Sequence, residues 1–313
     1  MTSTRSPSAG PLATSDLALL IVPGVIWGAS FLFIAQASEA VGPFGLTFLR
    51  ILIGFVALSC VPGARRPVGT AHWRGFVVLG VVWMAVPLTF FPFAERHVSS
   101  AVTGMLNGSN PVFTAIITSL LVRRWPSRGV RVGIALGVLG TVLMALPSLG
   151  AGSASANGVL LILAAMVCYG LALNVARPLQ EAYGALPVIW RAQCAALLFT
   201  APLGIPEVLA ARWTTTAVLA LLALGALGTA VAHVAMVTAA ARLGPTRASA
   251  TTFLIPVVAL ALGTLFRGES VAAMSIVGSA VCLLGAWVMR RSQAYAARER
   301  DRPTLAVAAR TAP

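Results

Sequence analysis

An all-α integral membrane protein, with ten transmembrane helices arranged as two inverted five-helix repeats, is the fold this sequence predicts. Three observations predict it: the composition, the placement of arginine, and an internal repeat. Of 313 residues, 58% are hydrophobic and only 10% are charged, whereas a soluble domain carries about 25% charged residues. Thirty charged side chains cannot give a globule of this size a polar skin. A disordered chain is excluded on the same grounds. A helical span takes about 20 apolar residues, so ten spans and their short connections leave no room for a soluble catalytic domain.

The spans follow in order. Leu17–Gln36 begins like a secretory leader, but its apolar run continues through Ala35 and reads as an uncleaved first helix. Pro43–Val61 is opened by proline and carries Arg50; Trp73–Phe93 carries Trp83 at mid-span. Ser99–Val122 contains Asn107-Gly108-Ser109-Asn110-Pro111, where Pro111 removes a backbone donor and clashes with the carbonyl of Asn107. Polar backbone freed there must face protein or a wet cavity, and Pro111 is therefore a candidate helix break and gating position. Gly129–Pro147 carries Gly133, Gly137 and Gly140, whose spacing permits close helix contact. Gly158–Arg177 holds Tyr169 and Asn174, Leu186–Gly204 holds Arg191 and Gln193, and Ala217–Ala241 holds His233. Ser249–Phe266 is broken around Pro256, the second candidate gating proline, and Val271–Met289 carries Gly278 and Gly285. The domain reading is an N-terminal arm (1–16), a first repeat (17–147), a connecting loop (148–157), a second repeat (158–289) and a basic tail (290–313).

All 22 basic residues are Arg, against 8 acidic ones. Counted across the ten spans, 17 fall on the side of the N-terminus, 3 on the other, and Arg50 and Arg191 lie within spans. That asymmetry predicts both termini on the cytoplasmic side. The basic residues sit in short gaps, where they attract anionic lipid. No basic, aromatic-studded stretch offers a nucleic-acid surface. Cys60, Cys168, Cys194 and Cys282 lie in apolar runs without CxxC spacing and read as small hydrophobes.

The repeat sets Ala94–Met144 on Ala239–Met289 at a shift of 145 residues, aligning Pro111 with Pro256, Gly133 with Gly278 and Gly140 with Gly285. A shift of 141 sets Arg50 on Arg191. Two units of five spans must enter the membrane from opposite sides, so the repeat is inverted. Such repeats are common in carriers whose site lies at the midplane between the halves.

Enzymatic motifs are absent: no phosphate-binding GxxxxGK[ST], no HExxH and no GxSxG. Every acidic residue falls at a span end or in a loop, so the sequence predicts no buried carboxylate. Proton coupling would then fall to His233, whose alternative is a helix–helix hydrogen bond. A charge inside a span costs at least about 2.5–3.5 kcal/mol. Arg50 and Arg191 are therefore either guides for an anionic or zwitterionic solute or braces tying exposed carbonyls.

These residues resemble the EamA-like branch of the drug/metabolite transporter superfamily. Trp27-Gly28-Ala29-Ser30-Phe31 resembles its W-G-x-x-F signature, and Thr47-Phe48-Leu49-Arg50 its second span. Pro111 followed by Gly133 and Gly140, and Pro256 followed by Gly278 and Gly285, resemble its two half-ends. The resemblance implies a cofactor-free, non-enzymatic carrier of a bacterial plasma membrane that exports amino acids, other metabolites or toxic compounds without ATP. It implies a cavity lined by the first, third, fourth, sixth, eighth and ninth helices. It also implies a Glu ending both proline-bearing helices, where this chain has Glu269 and Arg124. The expected substrate-binding set is Trp27, Arg50, Trp83, Asn107, Asn110, Tyr169, Asn174, Arg191 and His233. The expected partners are a small-molecule solute and membrane lipids, with no nucleic acid; a homodimer is compatible with this reading. An intramembrane enzyme on a hydrophobic substrate, and a passive channel or partner protein, are the alternatives.

Overall fold

The computed structural model describes residues 14–311, which form helices and turns with no strand among them. Among the described residues, nine helices are long and apolar enough to cross a membrane. They are α1 (Thr14–Ala37), α3 (Trp73–Ala94), α4 (Ser100–Val122), α5 (Arg128–Gly150), α6 (Ser153–Tyr183), α7 (Ala185–Leu209), α8 (Thr215–Leu243), α9 (Ser249–Arg267) and α10, apolar over Ala273–Tyr295. The shorter apolar helix α2 (Pro43–Ser59) lies between α1 and α3. Large apolar side chains stand exposed around the outside, among them Leu120, Leu198, Leu265 and Trp287. That is the face a helical bundle presents to lipid rather than to water.

Helix ends depart from hydropathy where local chemistry extends them. The sequence predicts that the sixth span stops at Arg177, yet α6 runs to Tyr183 because Arg177 pairs with Glu181 one turn on, at 3.0 Å. Gly184, at φ +86°, then turns the chain directly into α7. The expected connection over 148–157 shortens to Ala151–Gly152, between α5 and α6. The tail from residue 290 continues α10 as helix to Thr311, with no Gly or Pro between Ala286 and Arg302 and with Pro303 inside the helix. The N-terminal arm falls outside the described residues except for 14–16.

Two helices contain wide turns of π type: Gly80–Ala85 in α3 and Ala223–Val231 in α8. Such turns free backbone groups from the regular ladder, and Trp27 Nε1 donates to one of them, Gly228 O, at 3.0 Å. Helix α4 is interrupted at Gly108–Ser109, between Ser100–Asn107 and Asn110–Val122. Helix α9 begins as a tighter 3-10 segment, Ser249–Phe253, ahead of Pro256. The helices end alike, at residues in the left-handed region: Arg123 (φ 53°) after α4 and Gly268 (φ 62°) after α9.

Between lipid-facing helices the driving force is close packing rather than escape from water. Glycine supplies it here. A Cβ on Gly28 would meet Ile255 O at 2.9 Å, and one on Gly24 would meet Thr251 O at 2.7 Å, so α1 lies directly on α9. Helices α5 and α10 touch through Gly133, Gly140, Gly278 and Gly285. The buried core includes Phe31, Met105, Met166, Leu224 and Ile255 on one side and Ile51, Leu79, Ile189 and Ala192 on the other.

Candidate functional site

A cavity of about 780 Å³ lies between the helices. Its inner end is bounded by Phe31 and Phe91, whose rings meet edge to face at 5.5 Å; both are buried. Tyr169 packs beside Phe91, with ring centroids 6.1 Å apart. Towards its opposite end the wall includes Pro126, Gln180, Arg290 and Gln293, of which Gln293 is exposed. The cavity thus reaches one end of the bundle, and towards the other its lining ends at Phe31, Ile34 and Phe91.

Beyond those rings the helix ends are tied by carboxylates. Glu269 accepts hydrogen bonds from Ser100 N (3.1 Å), Ser100 Oγ (2.8 Å) and Ala101 N (2.8 Å), which caps α4. A carboxylate at a helix N-terminus satisfies orphan donors and meets the positive end of the dipole. Arg267 lies 3.1 Å from Glu39 and 3.6 Å from Glu269. At the same end Glu207 accepts from Gly45 N at 2.8 Å, in the first turn of α2.

The wall gathers eight of the expected residues: Trp27, Arg50, Trp83, Asn107, Asn110, Pro111, Tyr169 and His233. His233 sits between two indoles, 5.4 Å from the Trp27 ring and 6.1 Å from that of Trp83, and its Nδ1 is buried without a hydrogen-bond partner. Asn110 Oδ1 accepts from Thr114 Oγ1 at 3.2 Å. Arg50 is 7% exposed, and its Nε is buried with no partner.

Three expected residues stand apart from the wall. Asn174 lies behind Thr118, which is a wall residue; its Oδ1 is 3.1 Å from Thr118 Oγ1 and its Nδ2 donates to Gly170 O at 2.8 Å. Arg191 donates to Pro187 O (3.2 Å) and Arg66 O (2.8 Å) and lies over the Trp190 ring at 5.5 Å. It ties backbone carbonyls, the work of a brace. Pro256 is buried against Gly108, where a Cβ would lie 2.7 Å from its Cγ, so the interruptions of α4 and α9 meet.

One expectation is corrected. Glu95 follows the last residue of α3, as a span-end acid should, but both of its carboxylate oxygens are buried and have no hydrogen-bond partner. Burial, and then the neighbouring Glu269, push its pKa well above the ordinary carboxylate range.

Some wall residues escaped the sequence reading. Thr114 and Thr118 follow the expected Asn110 at steps of four residues along α4, a polar stripe on an otherwise apolar helix that periodicity could have found. Phe253 and Arg290, which lies over the Phe253 ring at 5.9 Å, carry no such signal. Besides the expected six helices, α2 contributes Arg50, α5 Val130, α7 Ile189 and α10 Met289. Among the described residues, no three metal-ligating side chains come together.

The EamA-like transporter family matches residues 14–146 and again residues 156–291. The chain belongs to this family. This EamA-like chain is 25% identical over 291 residues to the probable terminal-alkyne amino-acid exporter of Streptantibioticus cattleyicolor, covering 91% of this chain and 96% of that protein. It is 26% identical to the uncharacterized transporter YdfC of Bacillus subtilis, over 83% of this chain and 86% of YdfC. The WAT1-related protein At3g02690, chloroplastic, of Arabidopsis thaliana is 23% identical over 87% of this chain and 68% of its own length. A solved crystal structure shares the fold with a TM-score of 0.58 and 19% identity, over 88% of this chain and 96% of that one. The EamA-like chain is a multi-pass membrane protein of a transporter family, not an enzyme.

Proposed function

We propose that this EamA-like chain is a secondary transporter of small organic solutes that works by alternating access and exports its cargo without ATP. The observation that carries the proposal is the cavity itself, which reaches one end of the bundle while Phe31 and Phe91 close it towards the other. A channel would need a continuous path. A receptor would need no carboxylate and arginine ties across the closed end. The likeness to the probable terminal-alkyne amino-acid exporter of Streptantibioticus cattleyicolor supports including amino acids among the solutes to test.

In this reading α2 joins the nine longer helices as a tenth span, and the two halves, 17–147 and 158–289, are inverted copies that rock about the cavity. Reciprocal contacts support it: Gly133 meets Gly285 and Gly140 meets Gly278, the pattern a twofold axis between α5 and α10 would generate. The paired wide turns in α3 and α8 support it as well. Trp27, Arg50, Trp83, Asn107, Asn110, Tyr169 and His233 would contact the solute, with Arg191 and Asn174 holding the frame. Pro111 and Pro256 would let helix ends bend as the cavity changes sides. The arginine distribution supports cytoplasmic termini in a bacterial plasma membrane; the open end would then face the cytoplasm. The same apolar exterior would accommodate lipid or a second copy of the chain.

The test is solute flux in proteoliposomes under an imposed pH gradient, a membrane potential, or neither. Saturable flux above empty vesicles is expected. Its absence across a panel of amino acids, organic acids and amines contradicts the proposal.

A further inference from the structure

We propose that the cavity takes organic anions: a carboxylate on the solute pairs with Arg50, while an apolar or aromatic body lies among Trp27, Trp83 and Tyr169. The inference rests on the transport reading and narrows its solute range to acids that carry no ammonium group.

Arg50 is the deepest charge in the wall. It is almost fully buried, and among the described residues no carboxylate lies within 4.0 Å of it and no hydrogen bond satisfies its Nε. Taking an ion out of water costs several kcal/mol even after relaxation, and a buried charge is ordinarily paired. The chain leaves that pairing unmade at a point that faces an opening large enough for a small organic molecule. A guanidinium offers a planar fork of donors that fits a carboxylate two bonds at a time.

The rest of the wall favours the same sign. It includes no Asp or Glu; its other permanent charge is Arg290, near the open end. Two cations, one near the entrance and one at depth, draw anions inward and raise their local concentration. Glu95 acts on Arg50 from beyond the wall, and its burial and the repulsion of Glu269 raise its pKa, which weakens it as a compensating charge. A solute ammonium would find ring faces such as those of Trp27 and Trp83, and the amides and hydroxyls of Asn107, Asn110 and Thr114, but no carboxylate. These can accept hydrogen bonds but cannot offset a buried positive charge added beside Arg50.

The test uses three compounds with one ring and different charges: 3-phenylpropanoate, phenylalanine and 2-phenylethylamine. Equilibrium binding to the full chain in lipid nanodiscs near pH 7 is expected to rank the anion first, by roughly tenfold or more over either amine-bearing compound. Arg50→Gln is expected to abolish that preference and Arg50→Lys to restore part of it. Tighter binding of the zwitterion or the cation, binding of none of the three, or an anion preference unchanged in Arg50→Gln overturns the inference. The ranking on the unsubstituted chain decides the matter even if Arg50→Gln fails to fold. Flux of the tightest binder separates the two readings. A transported amine with no anion preference removes the anion class and leaves transport standing, while a bound anion that is never moved does the reverse.

Discussion

Gly133 and Gly285 pack backbone against backbone: a Cβ added to either would lie 2.6 Å from the other's carbonyl oxygen. About 10 Å further along the helices, roughly two turns away, Gly140 and Gly278 repeat the contact with partners exchanged, at 2.5 and 2.7 Å. No side chain fits at any of the four positions without the two helices moving apart.

Gly133→Val and Gly285→Val should therefore each destabilise the fold, by about 1–3 kcal/mol as overpacked sites do. Thermal unfolding in detergent checks this. A matched substitution at Gly150, around which a Cβ would meet nothing within 4 Å, should change little.

Phe31→Ala and Phe91→Ala should open the closed end, since their touching rings line it. The expected outcome is a leak: solute equilibrates across proteoliposomes with weaker saturation. Unchanged saturable flux in both variants would place the barrier elsewhere.

Glu95 gives a pH dependence with a definite sign. Its folded-state pKa lies above the ordinary carboxylate value, so the folded chain retains a proton that the unfolded chain releases. The penalty is absent below the unfolded pKa and grows as pH rises towards the raised one. Glu95→Gln should match the unsubstituted chain at about pH 4 and be the more stable of the two near pH 8. Melting temperatures across that range read the difference directly.

Glu269→Gln should loosen the closed end, because an amide replaces a carboxylate that accepts three hydrogen bonds from Ser100 and Ala101. Hydrogen bonds to charged groups contribute about 1.5–3 kcal/mol, enough to shift a balanced two-state equilibrium several-fold. In the proposed repeat the counterpart of Glu269 is Arg124, a cation that cannot accept. Arg124→Glu should favour closure at the opposite end, seen as slower modification of a cysteine placed at Gln293.

Much of this architecture was legible in the sequence, because span length, glycine spacing and proline breaks act locally. The interruption at Gly108–Ser109 follows from Pro111, and the glycine seam follows from a spacing of seven residues. What escaped depends on partners distant in the chain. Arg50 and Arg191 look alike in sequence, yet one faces a cavity while the other is held by Arg66 O, 125 residues away. Glu95 reads as a solvated span end until the helices around it close over both of its oxygens. Hydropathy measures the transfer of each residue into lipid and carries no information about which neighbour will cover it.

The central claim is that one cavity serves both faces of the membrane in turn. Sided modification of Asn110→Cys tests it most directly, in a chain whose Cys60, Cys168, Cys194 and Cys282 have been replaced. Asn110 lines the cavity, so a membrane-impermeant maleimide should reach it from one side in the resting protein and from the other side during transport. Reaction from a single side under every condition, or from both sides at once, would contradict the account.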